Sequence, residues 1–389
     1  MRVVQLDFED PAFPARLVEL PDPALPAADW ARIAVSGGGI CGSDLHIFSS
    51  TVGPPTALYS YGTLPMELGH EIAGTIVEAG PDCTLAEGTR VTVNPILGCA
   101  ARGIDPPCER CADGAASTCR NLGSRRVTEG MGLGFTHGLG GGWGDLLVAH
   151  ESQLHELPHT VGPEAETLPE PLSIVIHGLL RVPPRDGPVL VIGAGVIGLL
   201  AVSALRNLYP DVDVVVVAKH PHQVEVARAC GAHTVVVLSD DVYGPLAEAS
   251  GTDVRGAGPD AMLAAGFPYV VEAVGTETAL GQAFRCVDSR GTVLLLGASG
   301  VSSVDMSPVW FKESTVTGSF CHAHDPRPAD NRAVHSFDQA VELLAAGLVP
   351  AAELVTHEFG LDDWREAVDT ALAREAGAIK VVLRPEPAG

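Results

Sequence analysis

The stretch PVLVIGAGVIGLLAVSAL, residues 188–205, limits the possible folds more than any other. Its length approaches that of a membrane span. Three glycines and a β-rich first half instead make it a buried strand that turns into a helix. Gly193, Gly195 and Gly198, with Val196 and Ile197 inside the pattern, match G-x-G-x-x-G after a strand and at a helix start, the setting that gives the pattern meaning. Glycines there permit a tight turn and close approach of a pyrophosphate, and the helix N-terminus offers N–H groups to the anion. Apolar runs then alternate with helical segments: VDVVVVAKH, HTVVVLS, YVVEAVG and GTVLLLGASG. The alternation predicts an α/β region with a parallel, doubly wound sheet.

About twenty residues past such a turn, an NAD site needs a carboxylate for the adenosine ribose. That position holds Ala218, and Asp211 and Asp213 lie at the other end of the strand, Asp213 about 16 Å away at ~3.3 Å per residue. Lys219 and His220 follow Ala218 instead, in a chain with only three lysines. Cations without a carboxylate favour a 2′-phosphate, so NADP(H) is the preferred coenzyme, with NAD(H) left open.

The rest of the chain has a different texture. Its 389 residues suit two domains. Up to about Glu170 it is broken by Gly and Pro and carries short β-like runs such as EIAGTIVEAG and RVTVNPI, which predict an all-β body. GMGLGFTHGLGGGWGD, Gly130 to Asp145, reads as a flexible loop, or as a pocket wall if it lies near a site. Beyond about Phe320 come two amphipathic segments, SFDQAVELLAAGLV and DDWREAVDTALAREAG, and a last strand, IKVVLRP.

With 48 acidic against 24 basic residues, the formal charge of −24 disfavours nucleic acid and anionic membrane surfaces and leaves a small molecule as the expected partner. The start, MRVVQLDFEDPAF, lacks a basic segment followed by an apolar one, so the cytoplasm is the simplest address. Nine cysteines then read as metal ligands or buried thiols rather than disulfides. Cys99, Cys108, Cys111 and Cys119 fall within 21 residues, and the C-x-x-C pair suits one tetrahedral zinc closed by four sulfurs, a structural site. Cys83, Cys230, Cys286 and Cys321 read as small apolar residues.

A second cluster has another character. GGGICGSDLH, Gly37 to His46, crowds a thiol, a hydroxyl, a carboxylate and an imidazole behind three glycines. Hydride leaves an alcohol carbon only if the growing charge on oxygen is held, and zinc with an open position does that. Cys41 and His70 are candidate ligands, with Glu71 beside His70 and Glu170 in LPEPLSIVIHG. A Cys, a His and one or two Glu leave a position for water or substrate. Asp44 would orient the ligating histidine, Ser43 would take the substrate proton and His46 would pass it to water.

GICGSDLH, GHEIAGTIVEAG, the cysteine cluster, EPLSIVIHG, VIGAGVIGLL and VVEAVGTETALGQAF, in this order, resemble the zinc-dependent medium-chain alcohol dehydrogenase family over nearly the whole chain. The resemblance implies a GroES-like β domain holding both zincs (residues 1–171), a Rossmann dinucleotide-binding domain (172–320) and a C-terminal return to the first domain (321–389). It implies two zincs per chain, with Cys41, His70 and a glutamate at the catalytic one and Cys99, Cys108, Cys111 and Cys119 at the structural one. It also implies Ser43 and His46 as the proton relay, and a homodimer or homotetramer. The glutamate in EPLS resembles the branch with sorbitol, glucose and threonine dehydrogenases, in which Glu71 and Glu170 exchange at the metal; by analogy the substrate is a polyol, sugar or amino alcohol. Two features depart from the family habit: eight residues separate Cys99 from Cys108 where two are usual, and Ala218 replaces the usual acidic residue. Two other readings use the same parts: epimerisation or elimination with a recycled, bound nicotinamide, and a dinucleotide-binding protein without turnover.

Overall fold

The computed structural model describes residues 1–7, 15–48, 62–258 and 261–386. Two sheets organise the chain. The first has the strand Trp30–Gly39 near its centre, in the order Val355–Gly360, Lys380–Arg384, Trp30–Gly39, Glu71–Ala79, Arg90–Val93, Leu154–Glu156, with Leu146–His150 also paired to Trp30–Gly39. Ala31, Ile33 and Val35 share one core with Ile72, Ile76, Val91 and Val93, as the alternating pattern of these strands requires. The final strand, Lys380–Arg384, runs antiparallel to Trp30–Gly39, with Val382 and Leu383 opposite Gly39 and Gly38. The C-terminal segment therefore completes the sheet that the N-terminal segment began.

The second sheet has six parallel strands in the order Thr234–Val237, Val214–Ala218, Val189–Ile192, Phe267–Glu272, Val287–Leu295, Thr315–Gly318. Val189–Ile192 and Val214–Ala218 are buried throughout, which explains why they read as continuous apolar runs: helices cover both faces. The chain reverses direction of winding between Val189–Ile192 and Phe267–Glu272, so the cleft for a ligand opens at their C-terminal ends. The strand Thr315–Gly318 at the edge lies outside the sequence expectation; with only four residues and Thr at two of them, it carries little apolar signal.

The helix Pro169–Arg181 joins the two bodies. Proline at its first position fits the N-terminal turn, and it packs against the helices Val196–Leu208 and Ser336–Ala345. It starts beside the first sheet, so Glu170 stands at the junction. Ser336–Ala345 and Trp364–Leu372 are the two helices expected in the tail. No helix among the described residues is long and apolar enough to cross a membrane.

The glycine-rich segment from Gly130 to Asp145 departs from its reading as a flexible loop. Most of it is buried. The Trp143 indole donates to the Gly39 carbonyl at 3.1 Å, and the Gly142 N–H donates to the Gly69 carbonyl at 2.9 Å. Its glycines serve close approach of backbone to backbone, not looseness.

Candidate active site and metal centres

Gly39 ends its strand directly under Glu71. A Cβ on Gly39 would stand 1.9 Å from Glu71 Oε2 and 2.8 Å from Lys380 Cε, so the last glycine of GGG makes room for a buried pair. Cys41 follows, and the short helix Gly42–Phe48 carries Ser43, Asp44 and His46. His70 and Glu71 open the neighbouring strand.

The ligand atoms of Cys41, His70 and Glu71 all lie within 4.8 Å of one another, with His70 and Glu71 buried. Asp44 Oδ2 accepts the Cys41 backbone N–H at 2.9 Å, and its Oδ1 lies 3.5 Å from His70 Nδ1. The Ser43 hydroxyl lies 3.4 Å from His70 Nε2. His70 Nδ1 is buried without a hydrogen-bond partner, as is Glu170 Oε2. A thiol, an imidazole and a carboxylate converging on one point, with buried lone pairs left over, fit zinc with an open position.

Glu170 stands outside that tight trio but close enough for its charge to act on Glu71. Burial pushes its carboxyl up to about 7. The hydrogen bonds around it place one proton. The Ser173 hydroxyl donates to the Glu170 carbonyl at 2.7 Å, so it accepts from His322 Nδ1 at 2.8 Å. In neutral His322 this leaves the Nε2 lone pair facing Glu170 Oε1 at 3.3 Å, and burial does keep His322 neutral by lowering its pKa well below the usual value.

Three residues near this site were missed or misread in the sequence. Lys380, fully buried, pairs with Glu71 and donates to the Ile40 carbonyl at 2.9 Å. Its signal was faint: one of three lysines, set in the apolar strand AIKVVL. His322 follows the last strand of the parallel sheet and had no motif. Cys321, expected to be a small apolar residue, is indeed buried; it has a left-handed φ of 53° and sits where Glu170 and Cys41 add to the burial that raises its thiol pKa. Its place comes from the backbone turn after the sheet, which spacing could not reveal.

His46 faces the Ala298 carbonyl across the cleft, and burial together with the nearby charge of Arg374 lowers its pKa. The helix that carries it therefore meets the loop that follows the strand Val287–Leu295.

Cys99, Cys108, Cys111 and Cys119 also come together in one lobe, with their sulfurs within 4.8 Å of one another. Four sulfurs at ~2.3 Å on a tetrahedron stand about 3.8 Å apart, and the separations of Cys119 Sγ from Cys99 Sγ and Cys108 Sγ are 3.7 and 3.9 Å. The backbone N–H of Arg120 pulls the Cys108 thiol down to about 6, while burial pushes Cys119 up to about 11. The long Cys99–Cys108 spacing is taken up by a loop that buries Arg102, whose guanidinium donates to the carbonyls of Leu97, Gly123, Thr128 and Gly130. The Cys108 N–H then reaches Cys99 Sγ at 3.3 Å.

The glycine turn has the form a pyrophosphate needs. Gly198 packs so closely that a Cβ would lie 1.8 Å from the Gly193 carbonyl, whereas the space beside Gly195 is open. Val196 and Ile197 begin the helix Val196–Leu208, whose first turn contains no acidic residue. Ala218 ends the second strand fully buried, with Lys219 exposed and His220 at the start of the helix Pro221–Ala229.

Fold and site together define a zinc-binding, dinucleotide-dependent oxidoreductase. The alcohol dehydrogenase GroES-like domain family matches residues 27–159, and the zinc-binding dehydrogenase family matches residues 196–346. A probable diacetyl reductase ((R)-acetoin forming) of Saccharomyces cerevisiae is 30% identical, over 95% of this chain and 87% of its own. An L-threonine 3-dehydrogenase of Saccharopolyspora erythraea is 27% identical, over 96% of both chains. Among solved structures, 2R,3R-butanediol dehydrogenase from Bacillus subtilis superposes with a TM-score of 0.74 at 25% identity, covering 99% of each chain. A putative zinc-binding dehydrogenase from Sinorhizobium meliloti, bound to NADP, gives 0.73 at 26%, again over 99% of each. The chain belongs to the zinc-dependent medium-chain alcohol dehydrogenase family.

Proposed function

We propose that this protein interconverts a small polar alcohol (a polyol, sugar or amino alcohol) and its carbonyl, using catalytic zinc and preferring NADP(H). The observation that carries the reading is the convergence of the Cys41, His70 and Glu71 ligand atoms, with His70 and Glu71 buried, in a chain that also has a glycine turn open beside Gly195. The names of the relatives, a probable diacetyl reductase that forms acetoin, a butanediol dehydrogenase and a threonine dehydrogenase, support a substrate with a second polar group beside the reacting carbon.

Zinc bound by the trio would polarise the substrate oxygen as a Lewis acid, and the nicotinamide would carry the hydride. The side chains of the chain do the rest. Cys41 and His70 hold the metal, with Glu71 and Glu170 exchanging as its carboxylate ligand. Asp44 fixes the Cys41 turn and faces His70, and Lys380 offsets the Glu71 charge. Ser43 takes the substrate proton, and His46, kept neutral by burial and by Arg374, accepts it on the way to water. Cys99, Cys108, Cys111 and Cys119 hold a second, structural zinc.

The same reading makes the chain a homodimer or homotetramer. The edge strand Thr315–Gly318 has no outer neighbour among the described residues, and Val301, Met306, Trp310 and Phe311 are exposed just before it. A second copy would cover both. None of the nine cysteines is paired in a disulfide, which supports a cytoplasmic address.

The deciding experiment is metal content by mass spectrometry, paired with NADPH and NADH titrations of the same sample. Two zincs per chain and tighter NADPH binding support the proposal. NADH preference overturns the role given to Lys219. Product formation with no net change in nicotinamide absorbance points to epimerisation or elimination instead.

A further inference from the structure

The end of the strand Val214–Ala218 holds more than one cation. Of the three lysines, Lys312 and Lys380 are buried at 3% and 0% exposure, so Lys219 is the only exposed lysine in a chain of charge −24. His220 and His222, which follow it in the chain, stack on each other, with ring centroids 5.6 Å apart and planes 11° from parallel. His222 Nε2 is shielded from solvent and has no hydrogen-bond partner.

The backbone here is already engaged. Gln223 Oε1 accepts the N–H groups of both Lys219 and His220 at 3.1 Å, so those donors are not free for an anion. Side chains are left to meet whatever binds. We propose that His220 and His222 act with Lys219 as a reader of the coenzyme 2′-phosphate, and that His222 takes up a proton as the phosphate binds, so that preference for NADP(H) over NAD(H) falls as pH rises. The inference rests on the NADP(H) reading above and gives it a regulation that neither Lys219 nor the glycine turn supplies.

Two parallel imidazoles cannot both be charged without repelling each other. Burial and the neighbouring His220 hold the His222 pKa below its ordinary value, so the free enzyme carries it neutral at neutral pH. A dianionic phosphate against the pair reverses that balance and draws in a proton. Asp213 lies at the far end of the strand, facing His233 at 3.5 Å. Arg206, on the adjacent helix, bonds the carbonyls of Pro210 and Val212. Glu353 acts on Cys230 at the other end of the helix Pro221–Ala229. Asp241 accepts the Gly244 N–H, and neither it nor Asp240, Glu225 or Arg228 contributes to the His222 shift.

The sign follows from linkage. A group whose pKa rises on binding favours the bound state most strongly at low pH and loses that contribution as pH climbs through the raised value. The phosphate itself ionises near pH 6 and works in the opposite sense, so a decline above that pH belongs to the protein.

The test is a fluorescence titration of the zinc-loaded enzyme with NADPH and NADH at pH 6.5, 7.5 and 8.5. The ratio Kd(NADH)/Kd(NADPH) is expected to fall roughly tenfold across that range, one unit of pKa being a factor of ten. Calorimetry in buffers of different ionisation enthalpy should show extra proton uptake with NADPH. His222→Gln should flatten the ratio at its high-pH value, and His222→Lys should flatten it at its low-pH value. A wild-type ratio independent of pH, or a slope that survives His222→Gln, overturns the inference while leaving NADP(H) preference intact. A ratio below one at every pH overturns the coenzyme reading and the inference with it.

Discussion

The cysteine lobe and the cleft cluster both gather soft ligands in the first half of the chain, and they are assembled in opposite ways. In the lobe, four thiols from residues 99–119 meet through local turns, and their supports, Arg102 and Asn121, lie within that stretch or two residues beyond it. In the cleft, Cys41, His70 and Glu71 flank neighbouring strands, Glu170 arrives on the joining helix, and Lys380 comes from 309 residues beyond Glu71. A locally built site is fixed by its own loop. A site built from distant segments depends on the whole fold, so damage to it should be transmitted and damage to the lobe contained.

The sharpest test of that contrast is Cys41→Ala. Loss of one cleft ligand should lower kcat/KM by about 10³-fold or more, since charge on the substrate oxygen would lose its stabilisation. Zinc content should fall by one per chain relative to the unaltered protein, with the circular dichroism spectrum unchanged. Full turnover in this variant would mean that the cleft is not the metal site.

Lys380→Met addresses the long-range support. Removing one partner of a buried ion pair costs about 3–5 kcal/mol, because Glu71 is left charged without compensation. Denaturant unfolding should show that loss, and adding Glu71→Gln should recover much of it. Equal stability of the single and double variants would show that the pair is not coupled.

Cys108→Ser should have a smaller and more local effect. The lobe should lose its zinc and the melting temperature should drop by several degrees, while kcat/KM at 25 °C stays within about threefold of wild type, as expected for a site that touches no reacting atom. A fall in activity matching that of Cys41→Ala would erase the distinction between the two sites.

The same contrast explains what could be read from the sequence. The glycine turn, the C-x-x-C pair and the continuous apolar strands are local patterns, and each appears where its spacing put it. Cys99 belongs with the other three thiols in spite of its unusual spacing, because Arg102 lets the extra residues fold away. Lys380 and His322 carry no such pattern. Their meaning comes from a strand that returns to Gly39 and from a turn after the parallel sheet, contacts that no window of sequence contains. The Gly130–Asp145 segment misleads for a related reason: composition reports loop-forming residues, whereas burial against Gly39 and Gly69 is a tertiary fact.

Ser173→Ala probes the weakest link in the cleft. The Ser173 hydroxyl has a single proton, given to the Glu170 carbonyl, so its oxygen receives the proton of His322 Nδ1. Alanine removes that acceptor, and the His322 ring can then move its proton to Nε2 and turn a donor towards Glu170. Glu170 would be held as an ionised acceptor by His322 rather than left to exchange at the metal. Losing an outer hydrogen bond of this kind costs about 10-fold in metal affinity or activity, and the lost bond itself about 1 kcal/mol of stability. Competition with a chelator separates the two, since weaker packing alone would lower the melting temperature without speeding zinc release from the cleft. Ser173→Thr, which keeps the hydroxyl, should restore zinc retention. If alanine and threonine release zinc at the wild-type rate, His322 is a packing residue and the cleft is held by Asp44 and Lys380 alone.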